Sequence, residues 1–424
     1  MKLRKFLAVT SAFCMMWAVM PVLPIQENSS ILADAEESGT CGTNLKWVLD
    51  EEGTLTISGT GKMKDWKSSD YVPWYANRAD IKNVIIENGV TSIGKYAFIH
   101  CKNLISVTIP DTVTAIQTGA FWYCESLISA ELPDSLLSIA DYAFNTCESL
   151  TSAEIPDSVT SIGQAVFAHC ISLTSATLPN GLTSIENSLF YDCTGLVSVT
   201  IPDSVTNIKF SAFCGCHELT SANIPDSVLN IGTEAFRSCS SLRSVKIPEG
   251  VTVIQSGTFA DCTALTSAEI PASVTSIEEE AFSCCSALDT VIIQNPDCEI
   301  FDAKNTFSNT YDSRIEFYSF NGTIYGYEGS TAQAYAEKYE RNFAFISSAP
   351  ETSESEAILL GDVSGDGEIN ILDVITINKA ILGKEELTEA QIKAIDFNGN
   401  GKPDSEESLT LMKYIVKLIT SLTK

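Results

Sequence analysis

Two stretches near the end of this 424-residue chain put oxygen-bearing side chains on alternate positions around a glycine. DVSGDGEINILD begins at Asp362, and DFNGNGKPDSEE begins at Asp396, 34 residues later. A hard cation such as calcium takes roughly six to eight oxygen ligands, and a loop of about twelve residues with a tight glycine turn supplies them. In the first loop Asp362, Ser364, Asp366, Asn370 and Asp373 offer side chains, Glu368 offers its carbonyl, and Gly367 makes the turn. In the second the set is Asp396, Asn398, Asn400, Asp404 and Glu407, with the carbonyl of Lys402 and the turn at Gly401. One such loop could arise by accident in an acidic chain; two in tandem point to two calcium ions. Apolar runs of helical period follow, VITINKAILG at 374–383 and SLTLMKYIVKLI at 408–419, so each loop opens onto a helix.

The remaining chemistry is sparse. His100, His169 and His217 are the only imidazoles. His100 and His169 each precede a cysteine but fall three repeats apart, roughly 14 Å at the usual strand spacing, too far to share one ion. Neither G-x-S-x-G nor H-E-x-x-H occurs. With 54 acidic against 26 basic residues the net charge is −28, which argues against nucleic acid and against docking on anionic lipid. The 14 cysteines need an explanation, and a repeat supplies it.

Phenylalanine recurs every 23 residues, at Phe98, Phe121, Phe144, Phe167, Phe190, Phe213, Phe236, Phe259 and Phe282. Three residues after each stands a cysteine, from Cys101 to Cys285, and three further on a leucine, from Leu104 to Leu288. Prolines keep the period from Pro110 to Pro271, and isoleucines from Ile93 to Ile300. Nine registers without an insertion describe a solenoid. In Leu104-x-x-Val107-x-Ile109-Pro110 the apolar residues alternate as in a short strand, the proline stops it, and Asp111-Thr112 makes a turn. Val113, Ile116, Ala120 and Phe98 complete the inward set. One turn alone buries too little apolar surface to offset the ordering of its backbone, so stacking must supply the stability.

The cysteines share the inward phase and read as a ladder of buried thiols acting as small apolar residues, without the paired C-x-x-C spacing of zinc sites. Cys41, Cys214, Cys284 and Cys298 lie off the ladder, which leaves a disulfide among them open. Outward, serine holds one strand position eight times, from Ser106 to Ser267. Beside it runs a mixed column of Thr108, Glu131, Glu154, Thr177, Thr200, Asn223, Lys246 and Glu269. That ribbon is either plain solvated surface or an extended recognition face for protein or glycan, and it lacks the aromatics on which sugars stack. Trp66, Trp74, Tyr71 and Tyr75 cluster ahead of the repeats, where core packing is expected.

The pattern L-x-x-[VA]-x-[IL]-P…I-G-x-x-A-F-x-x-C, seen in LTSAEIPDSVTSIGQAVFAHC at 150–170, resembles bacterial leucine-rich repeats of the BspA-like surface-antigen type. The resemblance covers about residues 82–300 and implies a leucine-rich-repeat solenoid of short parallel β-strands. CGTNLKWVLDEEGTLTISGTGKM at 41–63 looks like the N-terminal cap of such proteins, and IYGYEGSTAQAYAEKYERNFAFI at 324–346 like their C-terminal strand–helix–strand cap. Caps have a physical purpose, since a bare solenoid end exposes core and strand edge. The tandem loop–helix unit at 360–420 resembles a type I dockerin, a small all-α calcium-binding domain of paired EF-hand-like motifs. That resemblance implies a cohesin domain of a cellulosome scaffold as partner. It also implies recognition residues late in each loop and on the following helix: Ile371, Leu372 and Lys379 in the first copy, Ser405, Glu406 and Lys413 in the second. Ser364 stands where asparagine is usual, Asn400 where aspartate is usual, and Pro403 sits inside the second loop, so weaker binding is expected there.

The expected organisation is a signal peptide at 1–35, an N-terminal β cap at 36–81, the solenoid at 82–300, a C-terminal cap at 301–346, a linker at 347–358 and the dockerin at 359–424. Lys2, Arg4 and Lys5 precede an apolar run from Phe6 to Ile25 and the small-x-small site Ala33-Asp34-Ala35, which argues for cleavage and secretion. Pro21 and Pro24 argue against a retained membrane anchor, and no second apolar stretch of spanning length follows. The favoured function is a secreted, non-catalytic binding protein carried on a scaffold. The alternatives are a polysaccharide-degrading (O-glycosyl hydrolase) component and a cell-surface adhesin. A glycosidase needs two carboxylates about 5–10 Å apart in a cleft. So many acids leave such a pair open residue by residue, but repeats and caps consume the chain and leave no domain-sized remnant for catalysis.

Overall fold

The stacking that the repeat demands is realised as two rows of short parallel strands. The computed structural model describes residues 37–315, 317–346, 361, 363, 369, 371–384, 387–396 and 402–415. The front row holds the strands foreseen from the alternation, among them Ser106–Thr108, Ser152–Glu154 and Ser175–Thr177, paired in steps of one repeat as Ala153 with Ala176. A back row lies on the Ile93-to-Ile300 column, for example Ser138–Ile139 beside Ser161–Ile162. These back strands are mostly two residues long, too short to show an alternation in the sequence.

Between the rows runs a stack of rings. Phe98 to Phe282 are at most 2% exposed and sit 5.2–5.7 Å apart with planes within 19° of parallel. The stack outlasts the strict period: Phe307, 25 residues beyond Phe282, continues it at 5.5 Å. At the other end Trp74 stacks on Phe98 at 5.7 Å, and its Nε1 donates to the Ala97 carbonyl at 2.9 Å. Trp47 and Trp66 meet Trp74 edge-on, and Tyr335 meets Phe307 the same way, so aromatics close both ends. Of the four N-terminal aromatics expected to pack, Trp66 and Trp74 are buried and Tyr75 is partly buried. Tyr71 is not: it is 69% exposed, on a single 3-10 turn, Ser69–Tyr71, that buries none of its residues.

Two further devices tie turn to turn. Hydroxyls after the Pro-Asp turn reach back one repeat, as Ser158 Oγ to the Leu136 carbonyl and Ser204 Oγ to Leu182, both at 2.7 Å. On the side opposite the prolines, two columns take left-handed backbone, one with Tyr96, Ala165 and Glu234, the other with His100, Asp192 and Asp261. Such a conformation costs a non-glycine residue about 1–2 kcal/mol. It is held because neighbouring amides bond to the next turn, as Phe98 N–H to the Ala120 carbonyl at 2.7 Å and His100 N–H to that of Trp122 at 2.8 Å. A lone turn has no such neighbour, which sharpens the cooperativity.

Strands Glu37–Thr40, Leu45–Leu49 and Thr54–Gly59 form an antiparallel cap whose last member pairs in parallel with Asn83–Ile86. At the far end Thr323–Gly326, helix α1 (Thr331–Lys338) and Asn342–Phe345 close the front row. Ser330 caps α1, its Oγ accepting the Gln333 N–H at 3.2 Å. The chain divides into two compact units, Met1–Ile346 and Ser347–Lys424. The second contains α2 (Ile371–Ile381), α3 (Glu389–Ile395) and α4 (Ser405–Ile415) around Val363, Val374, Ile377, Ile395 and Leu411. The expected signal peptide and linker lie outside the described residues. Among the described residues no helix is long and apolar enough to cross a membrane.

Candidate functional site

The first calcium loop is expected to hand over to its helix at Asp373. This residue sits in the first turn of α2, where a carboxylate faces the positive end of the helix dipole. It is fully buried, and one oxygen accepts the Val363 N–H at 3.0 Å. The second and last positions of the expected loop are thereby held together. Val363 is fixed from its other side by Gln391 Nε2, which donates to its carbonyl at 2.8 Å, and Ile369 packs on the same core. A carboxylate oxygen at this position, like the oxygen donors that the sequence spaces before it, suits a hard cation such as calcium rather than a soft metal.

Of the first expected ligand set the described residues include Asp373 alone; Asp362, Ser364, Asp366, Glu368 and Asn370 lie outside them. In the second set, the Asp396 N–H ends α3 by donating to the Ile392 carbonyl at 2.9 Å. Asp404 precedes α4, its carbonyl accepting the Ser408 N–H at 3.3 Å, and Lys402 is exposed. Asn398, Asn400 and the side chain of Glu407 lie outside the description. Among the described residues no three His, Cys, Asp or Glu side chains gather as a metal site. Of the expected recognition residues, Lys379, Ser405 and Lys413 are exposed on α2 and α4. Ile371 and Leu372 open α2 and Glu406 lies in the first turn of α4, their side chains outside the description.

In the solenoid, each ladder thiol after the first donates to the phenylalanine carbonyl one turn back, as Cys193 to Phe167 at 3.0 Å and Cys285 to Phe259 at 3.1 Å. Burial pushes the thiols of Cys101, Cys170 and Cys285 up to about 12. The thiolate, which is the form that reacts and binds metal, is suppressed. Off the ladder, burial takes Cys41 and Cys298 to about 12 and half-buried Cys214 to about 11. All the described cysteines are free thiols, so no disulfide joins Cys41, Cys214, Cys284 or Cys298. Nor do the histidines share a site. His100 stacks on Tyr123 at 4.8 Å, with its pKa lowered by burial and then by the charges of Lys102 and Arg78. His169 Nδ1 lies 3.3 Å from Asp192 Oδ2, and His217 is exposed.

One cluster escaped the sequence reading. His100, Tyr123, Trp122 and Tyr142 lie ring on ring at 4.8, 5.4 and 5.3 Å. Part of the signal was available in the two residues after each repeat phenylalanine, which are both aromatic only at Trp122-Tyr123. Within each contacting pair the ring planes lie within 20° of parallel. On the front row the serines from Ser106 to Ser267 and the mixed column beside them are exposed, as expected.

Two family models match the chain: the BspA type leucine rich repeat region, over residues 73–197 and 183–314, and the dockerin type I domain, over residues 360–416. Among solved structures it is similar to a leucine-rich repeat protein from Eubacterium ventriosum, 23% identical over 66% of this chain and 97% of that one, with a TM-score of 0.43. A leucine-rich repeat protein from Bacteroides ovatus is 21% identical over 72% of this chain and 98% of its own, with a TM-score of 0.39. A leucine rich cell surface protein from Faecalibacterium prausnitzii is 23% identical over 74% and 96%, with a TM-score of 0.35. No curated protein matches. Both matched modules are non-catalytic in kind; repeats of this type imply a binding surface, and a dockerin implies attachment through a cohesin. The chain belongs to the BspA-type leucine-rich-repeat proteins and carries a C-terminal type I dockerin domain.

Proposed function

We propose that this protein is a secreted, non-catalytic adaptor, docked through its dockerin on a cohesin of a cellulosome scaffold and recognising a protein or glycan ligand with the solenoid. The observation that carries the reading is a repeat solenoid followed by a dockerin in which buried Asp373 accepts the Val363 N–H. Calcium would be held by Asp362, Ser364, Asp366, the Glu368 carbonyl, Asn370 and Asp373, and by Asp396, Asn398, Asn400, the Lys402 carbonyl, Asp404 and Glu407. When bound, the ions offset the mutual repulsion of these carboxylates, coupling binding to folding. Cohesin contact falls to Ile371, Leu372 and Lys379 or to Ser405, Glu406 and Lys413. The test is capture of a scaffold cohesin by the full chain in calcium and in EDTA. Capture lost in EDTA supports the reading; capture indifferent to EDTA refutes the calcium-dependent dock. Release of reducing sugar from a polysaccharide panel would refute the non-catalytic assignment.

A further inference from the structure

At one place on the front row the inward residues depart from the pattern that the repeat sets. Turn after turn its two inward residues are buried: Val107 and Ile109, Ala153 and Ile155, and Ala176 and Leu178 are all at most 8% exposed. In the turn of Leu127 to Pro133, Ala130 and Leu132 are partly exposed instead. The strand Ser129–Ala130 pairs with Ser106–Val107, and Ser152–Glu154 pairs with Ser175–Thr177, but no ladder joins the two pairs. The ladder is interrupted there, as it is again between Ser198–Thr200 and Ser221–Ala222. Only here are the inward residues also uncovered, and a cavity of about 710 Å³ opens over the interruption. Its apolar lining is Ala130 and Leu132, with Ile155 and Leu178 nearly covered beside them. Its rim is acidic: Glu131 and Glu154 come from the strand side, Asp134 and Asp157 from the turns, and all four are exposed. Lysines of the solenoid are engaged elsewhere, Lys102 with Glu125, Lys209 with Glu186 and Lys246 with Asp226.

We propose that this opening is a docking groove for a basic, extended polypeptide segment of another protein. Its apolar residues would rest on Ala130 and Leu132 while its lysines or arginines pair with the rim. This rests on the adaptor reading of the solenoid and names the face and the partner chemistry. A second copy of the chain, with a net charge of −28, is repelled from the rim. A bare metal ion is a poor occupant, because among the described residues no three acidic, His or Cys side chains converge as a metal site. The cations must therefore arrive spaced along a partner. A neutral glycan finds no aromatic face among the lining residues.

The probe is a fluorescein-labelled peptide of alternating lysine and valine, titrated with the full chain and followed by anisotropy at low and at physiological salt. Glu131→Gln, Asp134→Asn, Glu154→Gln and Asp157→Asn together should weaken binding about tenfold. Removing four other exposed carboxylates, by Glu37→Gln, Glu51→Gln, Glu52→Gln and Glu328→Gln, should leave affinity within about twofold. Leu132→Asn, which touches the apolar lining and no charge, should weaken binding about threefold or more. Thermal melts of each variant check that the fold is kept. Equal weakening by both carboxylate sets, or an inert Leu132→Asn, would reduce the attraction to diffuse charge and overturn the proposal. So would absence of saturable binding by the unaltered chain, or a neutral cello-oligosaccharide that binds and is lost in Leu132→Asn. Cohesin capture uses the other unit, so the two readings fail in separate experiments.

Discussion

The Cys124 thiol donates to the Phe98 carbonyl at 3.2 Å, one turn back, and the Cys101 N–H donates to the same oxygen at 3.1 Å. Both lone pairs of a buried carbonyl are thus used, one within the turn and one between turns. The tie between turns depends on a proton that alkali would remove.

Alkaline lability follows. Burial raises Cys101, Cys170 and Cys285 from the ordinary 9.0 to about 12 in the folded protein. Between those values the unfolded chain loses protons that the folded chain keeps, so the folded state binds more protons and stability falls as pH rises. Stability is complete below about pH 9 and is lost towards about 12, at about 1.4 kcal/mol per thiol per pH unit. The urea midpoint of the full chain, measured from pH 7 to 11, should drop steeply beyond about 9. A flat profile contradicts the inward thiols.

The ring stack predicts how damage spreads. Phe190 is fully buried between Phe167 at 5.7 Å and Phe213 at 5.5 Å. Phe190→Ala removes contacts on both faces and should cost about 3–5 kcal/mol. Because each turn contacts only its neighbours, the lesion should also divide one cooperative unit into two. Urea unfolding of this variant should show two transitions, while Phe307→Ala at the end of the stack should lower one. A single shifted transition in both variants would mean that cooperativity does not run through the stack.

The stack and the front strands were legible because Phe98, Cys101, Leu104 and Pro110 return in fixed phase, and each type has one physical use there. The back row was hidden because a pair such as Ser161–Ile162 is too short to alternate. The left-handed columns were hidden for another reason: nothing in Tyr96, Ala165 or Glu234 announces that backbone, which the stacked neighbours impose. Phe307 was missed because its spacing from Phe282 breaks the period, although space keeps the stack. In the dockerin the donor types and spacing marked Asp373 as a ligand, but its anchorage on Val363 depends on how α2 and α3 pack.

Asp373 separates charge from anchorage. Asp373→Asn keeps an oxygen for the Val363 N–H but removes the negative charge, so the first loop should lose calcium while the fold stays. Asp373→Ala also strands that N–H in a buried setting, at a cost of about 1–3 kcal/mol. Calorimetric titration of the full chain with calcium should show the stoichiometry falling by one in both variants. Melting in EDTA should separate them, the alanine variant being the less stable. Unchanged stoichiometry in Asp373→Asn would remove Asp373 from the ligand set.

The two halves of the dockerin differ where a cohesin would read them. The first offers Ile371 and Leu372 at the start of α2, and the second offers Ser405 and Glu406 at the start of α4. Near-identical halves would let a partner bind in two orientations related by a half turn. Here a pocket suited to the apolar pair would have to desolvate Glu406 in the turned pose, at a cost of several, about 3–5, kcal/mol. Lys379 and Lys413 occupy matching places in the last turns of α2 and α4, so they do not discriminate between poses. Discrimination is left to the loop pairs, and one orientation should dominate. Replacing Ile371 and Leu372 by aspartate, and separately Ser405 and Glu406 by alanine, tests this by calorimetry against the cognate cohesin. One double substitution should abolish binding while the other barely changes it. Equal, mild losses from both would show two usable faces and end the single-orientation idea.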